Sequence, residues 1–250
     1  MSIIAISGRK QSGKDTVGRI IQYLTDDTVN KTIYPTFEEF DKLDVGNSGY
    51  HPWQVKKFAD KLKDIVCLIL GCTREQLEDE TFKNTPLGDN WNTTFYKIVD
   101  ASGGFLEKTT DLEEAKKALR YWNDSLSETP ELEEVNQVMT PRLMLQLIGT
   151  EGGRQLIHPD IWVNSTLNGY NKDSKWIITD CRFENEANSV KEKGGIVIRV
   201  NSKRCNNEDL HASETGLDNY NDFSYVIDND GTIEELVEQI KTILIKETLI

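Results

Sequence analysis

The 250-residue sequence has little with which to hold a metal or a disulfide. Its four cysteines, Cys67, Cys72, Cys181 and Cys205, form no CxxC pair, and the three histidines at 51, 158 and 211 are scattered. That pattern argues against a zinc site and against a disulfide framework. No stretch approaches the roughly 20 consecutive apolar residues needed to cross a bilayer. The apolar run at residues 3–6 is too short for a secretory signal and meets a glycine-rich loop at once. A cytoplasmic chain with no membrane partner is the expectation. Basic residues are also short in supply, the formal net charge being −13. General nucleic-acid binding, which needs a broad basic face, is therefore not expected. A small anionic ligand stays open, because a few Lys, Arg and backbone N–H groups build a positive pocket inside an acidic protein. There is no internal repeat and no low-complexity segment.

With 37% hydrophobic and 28% charged residues, the composition is that of a globular protein. The length fits one α/β domain, or a core domain carrying an insertion. Residues 2–7 (SIIAIS) read as a buried parallel strand, a glycine loop follows, and residues 16–24 have helical composition. Residues 55–59 predict a second strand, and 60–70 a helix stopped by Gly71. Further strands are expected at 175–179, 196–200 and 225–227, and helices at 184–193 and 232–244. Residues 72–140 differ: they are acidic and polar, with one apolar stretch at 95–99 and a helix at 111–126. They read as an insertion or lid-like subdomain. Thr140 and Pro141 then open a helix over 141–148 as N-cap and first-turn proline. Strands alternating with helices imply a parallel sheet covered on both faces, a three-layer α/β/α fold of the P-loop NTPase kind with a largely α insertion.

The loop carries the chemistry. Gly8-Arg9-Lys10-Gln11-Ser12-Gly13-Lys14 fits G-x-x-x-x-G-K, which wraps backbone N–H groups and a helix N-terminus around nucleotide phosphates while the lysine adds a mobile charge. One departure stands out. Asp15 occupies the place where Ser or Thr normally holds Mg²⁺, and Thr16 comes one residue late. A carboxylate in a first helical turn is favourable with the macrodipole, so Asp15 reads either as a structural residue or as a group that reaches Mg²⁺ or nucleotide.

P-loop enzymes need a second acidic group at the end of a neighbouring strand. Asp180 has that setting, and Arg182 lies two residues on. Arginine suits phosphoryl transfer because its planar fork binds phosphate oxygens in pairs. The plain alternative is an Asp180–Arg182 surface pair. Arg142, with Gln146 one turn later and Gly149-Thr150 beyond, has the character of an acceptor clamp for a monophosphate and a base. Trp162 suits either base stacking or packing.

These segments together resemble the phage deoxynucleoside monophosphate kinases of the P-loop nucleoside monophosphate kinase group. The matching stretches are residues 7–16, 58–64 (FADKLKD), 142–150 (RLMLQLIGT), 179–187 (TDCRFENEA), 211–214 (HASE) and 228–232 (DNDGT). They run in order across nearly the whole chain, and the Gly-Lys-Asp departure is itself a family trait. The resemblance implies one P-loop kinase domain over 1–250, ATP as donor, Mg²⁺, and a deoxynucleoside 5′-monophosphate as acceptor. It implies catalytic roles for Lys14, Asp15 and Arg182. ATP binding would fall to Gly8, Lys10, Ser12, Gly13, Lys14, Asp15 and Thr16, with Asp15, Thr16 and Asp180 serving the metal. Acceptor contacts would map to Lys10, Leu62, Lys63, Arg142, Gly149, Thr150, Trp162, Asp180, Arg182 and Glu186. Residues 72–140 would then be a monophosphate-side subdomain, 202–216 a lid, and 229–232 the border of the adenine. A homodimer is left open, and for a phage protein the host cytoplasm completes the expectation.

Two rivals stay in view. A GTP-binding switch is suggested by Asp100-Ala-Ser-Gly103, which fits D-x-x-G, and by Asn171-Lys172-Asp173-Ser174, which nearly fits N-K-x-D. A P-loop kinase for another small acceptor, such as a coenzyme precursor, would differ only in its acceptor pocket.

Overall fold

A computed structural model of the chain describes residues 2–26, 34–43, 51–205 and 215–250. Five strands form one all-parallel sheet: β1 (Ile3–Ser7), β2 (Gln54–Lys56), β6 (Trp176–Cys181), β7 (Ile196–Asn201) and β8 (Tyr225–Asp228). Strands β3 (Thr93–Val99), β4 (Phe105–Thr109) and β5 (Glu131–Gln137) form a separate sheet. The order across the parallel sheet is β2-β6-β1-β7-β8, which puts the N-terminal strand at the centre. Ser7, at the carboxyl end of β1, stands level with Cys181 on one side and Arg199 on the other.

The strand sequences explain the layering. Ile4 and Ile6 of β1, Ile177 of β6 and Ile196, Ile198 and Val200 of β7 share one core with Val17 and Ile20, and with Leu236 and Ile240. Val17 and Ile20 belong to helix α1 (Lys14–Thr25), Leu236 and Ile240 to the last helix, Ile233–Lys246. The alternate residues Ile3, Ala5, Ile178 and Val197 form a second core with Val163 and Leu167, and with Ala187 and Val190. These come from the helices Ile161–Leu167 and Glu184–Glu192. Period-two alternation with both sets apolar is what a sheet buried on both faces requires. The expected three-layer α/β/α arrangement follows from it.

Local signals set the ends of elements. Thr232 caps the last helix in a capping box with Glu235, whose carboxylate accepts from the Thr232 N–H at 3.0 Å. Thr140 accepts from the Leu143 N–H at 3.1 Å, with Pro141 in the first turn of Pro141–Gln146. The helix Asp60–Leu70 stops at Gly71, which takes a left-handed φ of 64°. A helix at Phe37–Leu43 and another at Ile161–Leu167 were not expected from the sequence.

The chain divides into two compact units, one of residues Met1–Leu62 and Gly153–Ile250, the other Lys63–Gly152. The second unit corrects the expectation of a largely α insertion. It holds the three-stranded antiparallel sheet, in the order β4-β3-β5. The helix Leu112–Ser125 lies on that sheet, capped by Asp111, and buries Ala115, while the central strand β3 buries Phe95, Ile98 and Val99. Its outer strands escape a hydrophobicity reading because they are charged. Lys97 stands opposite Glu133 on one side and Lys108 on the other, and the Lys108 ammonium lies 3.8 Å from the Phe95 ring centre. The Lys97–Glu133 pair and the Lys108 ammonium over the Phe95 ring stabilise such a polar sheet in place of apolar alternation, against the like charges of Lys97 and Lys108.

Gly195, which leads into β7, has its Cα against β1. A Cβ there would lie 2.5 Å from the Ile3 carbonyl oxygen and 2.6 Å from Ile3 Cγ2. Gly195→Ala should therefore cost about 1–3 kcal/mol, as overpacking against backbone does, read as a lower urea midpoint. An unchanged midpoint would show that β1 and β7 tolerate separation.

Candidate active site

Everything at the carboxyl end of β1 is arranged around one loop. Gly8 must lack a side chain, since a Cβ would lie 2.4 Å from Ser12 Oγ and 2.6 Å from the Val200 carbonyl oxygen. Gly13 has a φ of 95° and faces the Asn229 amide, with only 2.4 Å between that nitrogen and a would-be Cβ. The same amide donates to the Ser12 carbonyl at 2.9 Å, so the segment after β8 braces the loop. The loop is closed internally by Ser12 N–H to Arg9 C=O at 3.1 Å. Helix α1 begins directly after Gly13, with the first helical bond from Val17 N–H to Gly13 C=O at 2.9 Å. The buried Lys14 curls back over the loop, its Nζ 2.7 Å from both the Gly8 and the Arg9 carbonyl oxygens. Ser12 Oγ is fully buried beneath the loop with no hydrogen-bond partner.

Asp15 is held by a contact that depends on a glycine. Gly18, one turn on in α1, lets the helix approach β6 so closely that a Cβ would lie 2.7 Å from Thr179 Cγ2. Thr179 Oγ1 thereby reaches Asp15 and donates to Oδ1 at 2.8 Å. Lys57 Nζ lies 3.0 Å from the same oxygen. The Asp15 side chain is largely exposed; partial desolvation at the loop pushes its carboxyl up, but Lys57, the Thr179 hydroxyl and Lys14 outweigh it and leave the group below the ordinary carboxylate range.

Asp180, at the end of β6, is buried, which excludes the exposed surface pair with Arg182. Its Oδ1 accepts from the Phe58 N–H at 2.7 Å and its Oδ2 from the Ala59 N–H at 3.0 Å. Burial raises its pKa, while those two N–H groups, Arg182 and Lys57 pull it back. The carboxylate is thus a clamp between β6 and the turn that follows β2. Glu186 is a second such clamp, in the first turn of the next helix. Its Oε2 accepts from the Arg182 and Phe183 N–H groups at 2.7 and 3.1 Å, and its Oε1 from Arg154 at 2.6 Å. Burial dominates and pushes the Glu186 carboxyl up to about 7, Arg154 opposing the rise and Asp180 adding to it.

Of the expected residues, the first unit brings together Gly8, Lys10, Ser12 and Gly13 in the loop and Lys14, Asp15 and Thr16 in the first turn of α1, with Asp180 and Arg182 at the end of the adjacent strand and Glu186 in the helix that follows. Trp162 is 5% exposed in the helix Ile161–Leu167, and Leu62 is buried. Lys63, Arg142, Gly149 and Thr150 belong to the second unit. There Arg142 donates to Asn84 Oδ1 at 2.8 Å and to Glu80 Oε2 at 2.6 Å, and Lys63 bridges Glu78 at 2.5 Å. Gly149 and Thr150 lie in a π-helical stretch, Leu147–Ile157. Most of the expected lid, 206–214 within 202–216, falls outside the described residues. Sequence reasoning missed Lys57 and Arg154, and also Arg199 and Asp218. Asp218 accepts from Arg9 of the loop at 2.5 Å and from Arg199 of β7 at 3.0 Å. Lys57 directly precedes the 58–64 segment, the one signal that pointed to it.

The two GTPase-like patterns are local turns. Asp100 Oδ1 accepts from the Ser102 and Gly104 N–H groups at 2.9 and 2.7 Å, closing the hairpin between β3 and β4. Asn171 Oδ1 accepts from the Asp173 and Ser174 N–H groups at 3.0 and 2.9 Å, a turn that leads into β6.

A parallel sheet with a glycine loop and lysine at the end of its central strand, where the strand order reverses, defines an α/β protein of the P-loop NTPase class. Comparison with known proteins narrows this. The deoxynucleotide monophosphate kinase family matches residues 89–240, more than half of the chain, and the chain belongs to that family. It is 28% identical over 234 residues to the deoxynucleoside-5′-monophosphate kinase of Escherichia phage T5, covering 86% of this chain and 84% of that protein. It is also 28% identical over 118 residues to the deoxynucleotide monophosphate kinase of Escherichia phage RB69, covering 45% of this chain and 48% of that one. Among the described residues no helix is long and apolar enough to cross a membrane.

The Glu186 shift carries a sign. Its folded pKa of about 7 exceeds the ordinary 4.5, so the folded state holds this proton more tightly than the unfolded chain. Its contribution to stability is then largest at acid pH and falls as pH rises from 4.5 to about 7. Glu186→Gln should flatten that part of the profile, read from urea midpoints at about pH 5 and about pH 7.5. A difference between the two proteins that stays constant with pH would refute the assignment.

Proposed function

We propose that the protein transfers the γ-phosphoryl group of ATP to a deoxynucleoside 5′-monophosphate, giving ADP and the deoxynucleoside diphosphate. The observation that carries this reading is the loop of residues 8–16 on the central strand, in a chain of the deoxynucleotide monophosphate kinase family. The acceptor phosphate is already an anionic nucleophile, so no strong general base is needed. One P–O bond forms to an acceptor oxygen while the bond from Pγ to the bridging oxygen of ADP breaks. What the protein supplies is position and charge.

Backbone N–H groups of residues 8–14 and the start of α1 would hold the β and γ phosphates. Lys14 would leave the Gly8 and Arg9 carbonyls for phosphate oxygens, a short swing because those carbonyls line the same loop. Arg182, at the end of β6 beside the Asp180 clamp, would bind the phosphoryl group in flight, its planar fork spreading the developing charge. Within the first unit, Trp162, Asp180, Glu186, Leu62 and Lys10 are the proposed acceptor contacts. Arg142, Lys63, Gly149 and Thr150 are those proposed for the second unit.

The residues suit Mg²⁺. The Thr179 and Lys57 contacts to the Asp15 carboxylate both fall on Oδ1, the side chain is 72% exposed, and Thr16 follows it in sequence. A hard-oxygen set of one carboxylate, a hydroxyl and substrate phosphates is what Mg²⁺ takes while keeping several waters. Asp180, with a backbone donor on each oxygen, would act through water or through the turn it fixes. When bound, the ion would neutralise phosphate charge.

The direct test is ADP formation from Mg-ATP with a panel of ribo- and deoxynucleoside monophosphates. Acceptor-dependent turnover with deoxynucleotides supports the reading, and tight nucleotide binding with no such turnover overturns it. Lys14→Ala should abolish turnover with an unchanged denaturation midpoint, and retained activity would remove this lysine from the mechanism. Arg182→Ala should lower kcat by about 10³-fold, the scale of a lost charge-stabilising donor. An equal rate would reduce it to a structural role.

A further inference from the structure

A carboxylate in the first turn of a phosphate-binding helix is an electrostatic conflict. The helix N-terminus and the loop N–H groups favour an anion there, so Asp15 competes with the phosphates for the same field and repels them. A nearby fixed cation is the remedy, and one lies against this carboxylate.

Lys57 is built to do this. Its ammonium is 3.0 Å from Asp15 Oδ1 and the side chain is 30% exposed, so it faces the cleft. Its backbone is pinned on both sides: the Lys57 N–H donates to Asp60 Oδ2 at 3.0 Å, and the next two N–H groups are bound by Asp180. A lysine whose turn is clamped and whose ammonium is paired with the loop carboxylate is a placed counter-charge. A flexible surface partner would show none of this bracing.

We infer that Lys57 is a positioning residue for nucleotide binding: it cancels the charge of Asp15 and holds that carboxylate on Oδ1 against β6, so that the loop accepts an anionic nucleotide. The inference rests on the reading of residues 8–16 as the nucleotide site. It differs from a direct phosphate contact in one consequence. If Lys57 acts through Asp15, it matters only while Asp15 is charged.

The experiment is a double-mutant cycle with ADP as the probe, in EDTA, where no metal bridges the carboxylate to phosphate. Lys57→Met should weaken ADP binding on the order of tenfold, the scale set by one unit charge near a partly exposed anion site. In an Asp15→Asn background the same change should cost less than about threefold, the excess being the coupling between the two residues. Lys57→Arg should keep most of the affinity, since it keeps the charge. Urea midpoints of each variant separate binding loss from unfolding. An equal loss in both backgrounds overturns the inference in favour of direct contact, and no loss in either overturns it outright. Lys57→Arg as weak as Lys57→Met also overturns it. Failure of the intact protein to bind ADP would overturn both this inference and the nucleotide reading, whereas unchanged binding by Lys57→Met overturns this inference alone.

Discussion

Strand β1 is paired on both edges and buried on both faces, and the position of the whole site depends on that constraint. A strand with no free edge and no exposed face has one register, because a one-residue slip would exchange its two sets of side chains between cores. Ile4 and Ile6 commit it to the α1 side, Ile3 and Ala5 to the other. The loop after Ser7 therefore leaves the sheet at a fixed point, with β6 and β7 ending beside it. Loops are usually the adaptable part of a fold. This one is tied to its neighbours by Gly8 against Val200, by Asn229 on the Ser12 carbonyl and by Asp218 on Arg9.

The neighbouring strand end is fixed by a different device. Asp180 and Glu186 are buried carboxylates, each satisfied by two backbone N–H groups across a turn. A buried carboxylate without such donors is costly, and a backbone turn without an acceptor leaves orphan N–H groups. Each solves the other's problem. The result is that the turns at Phe58–Ala59 and Arg182–Phe183 are positioned by side chains from one strand-to-helix connection. Arg182 and Lys57, the cations those turns carry, inherit their placement from this pairing.

How much of this is legible in sequence follows from how local each cause is. The strand–loop–helix at 2–24 is written in consecutive residues, as are the Thr140 and Thr232 caps and the Gly71 stop, and those elements appear within a residue or two of expectation. Asp180 announces itself as a strand-end carboxylate, but its partners are about 120 residues away in sequence, and nothing local names Phe58 and Ala59. Lys57 and Asp15 meet only because Gly18 brings α1 onto β6. Strand β5 is hidden for a different reason. Its composition, ELEEVNQ, contradicts strand propensity, and only pairing to β3 along its full length makes it a strand.

An acidic chain that binds a polyanion must concentrate its cations, and here each of three at the loop already has a protein acceptor. Lys14 sits on the Gly8 and Arg9 carbonyls, Arg9 on Asp218, and Lys57 on Asp15. None of these pairs adds its full worth to ligand binding, because phosphate oxygens replace acceptors that were already in place. Affinity is then a difference between two sets of charge-assisted contacts. The exchange favours phosphate most where the protein acceptor is weakest, at the neutral carbonyls under Lys14. It favours phosphate least at Asp15 and Asp218, each a full negative charge. On the proposed reading, Lys14 is therefore the cation that follows the phosphates, and Lys57 the one that stays behind to hold the carboxylate.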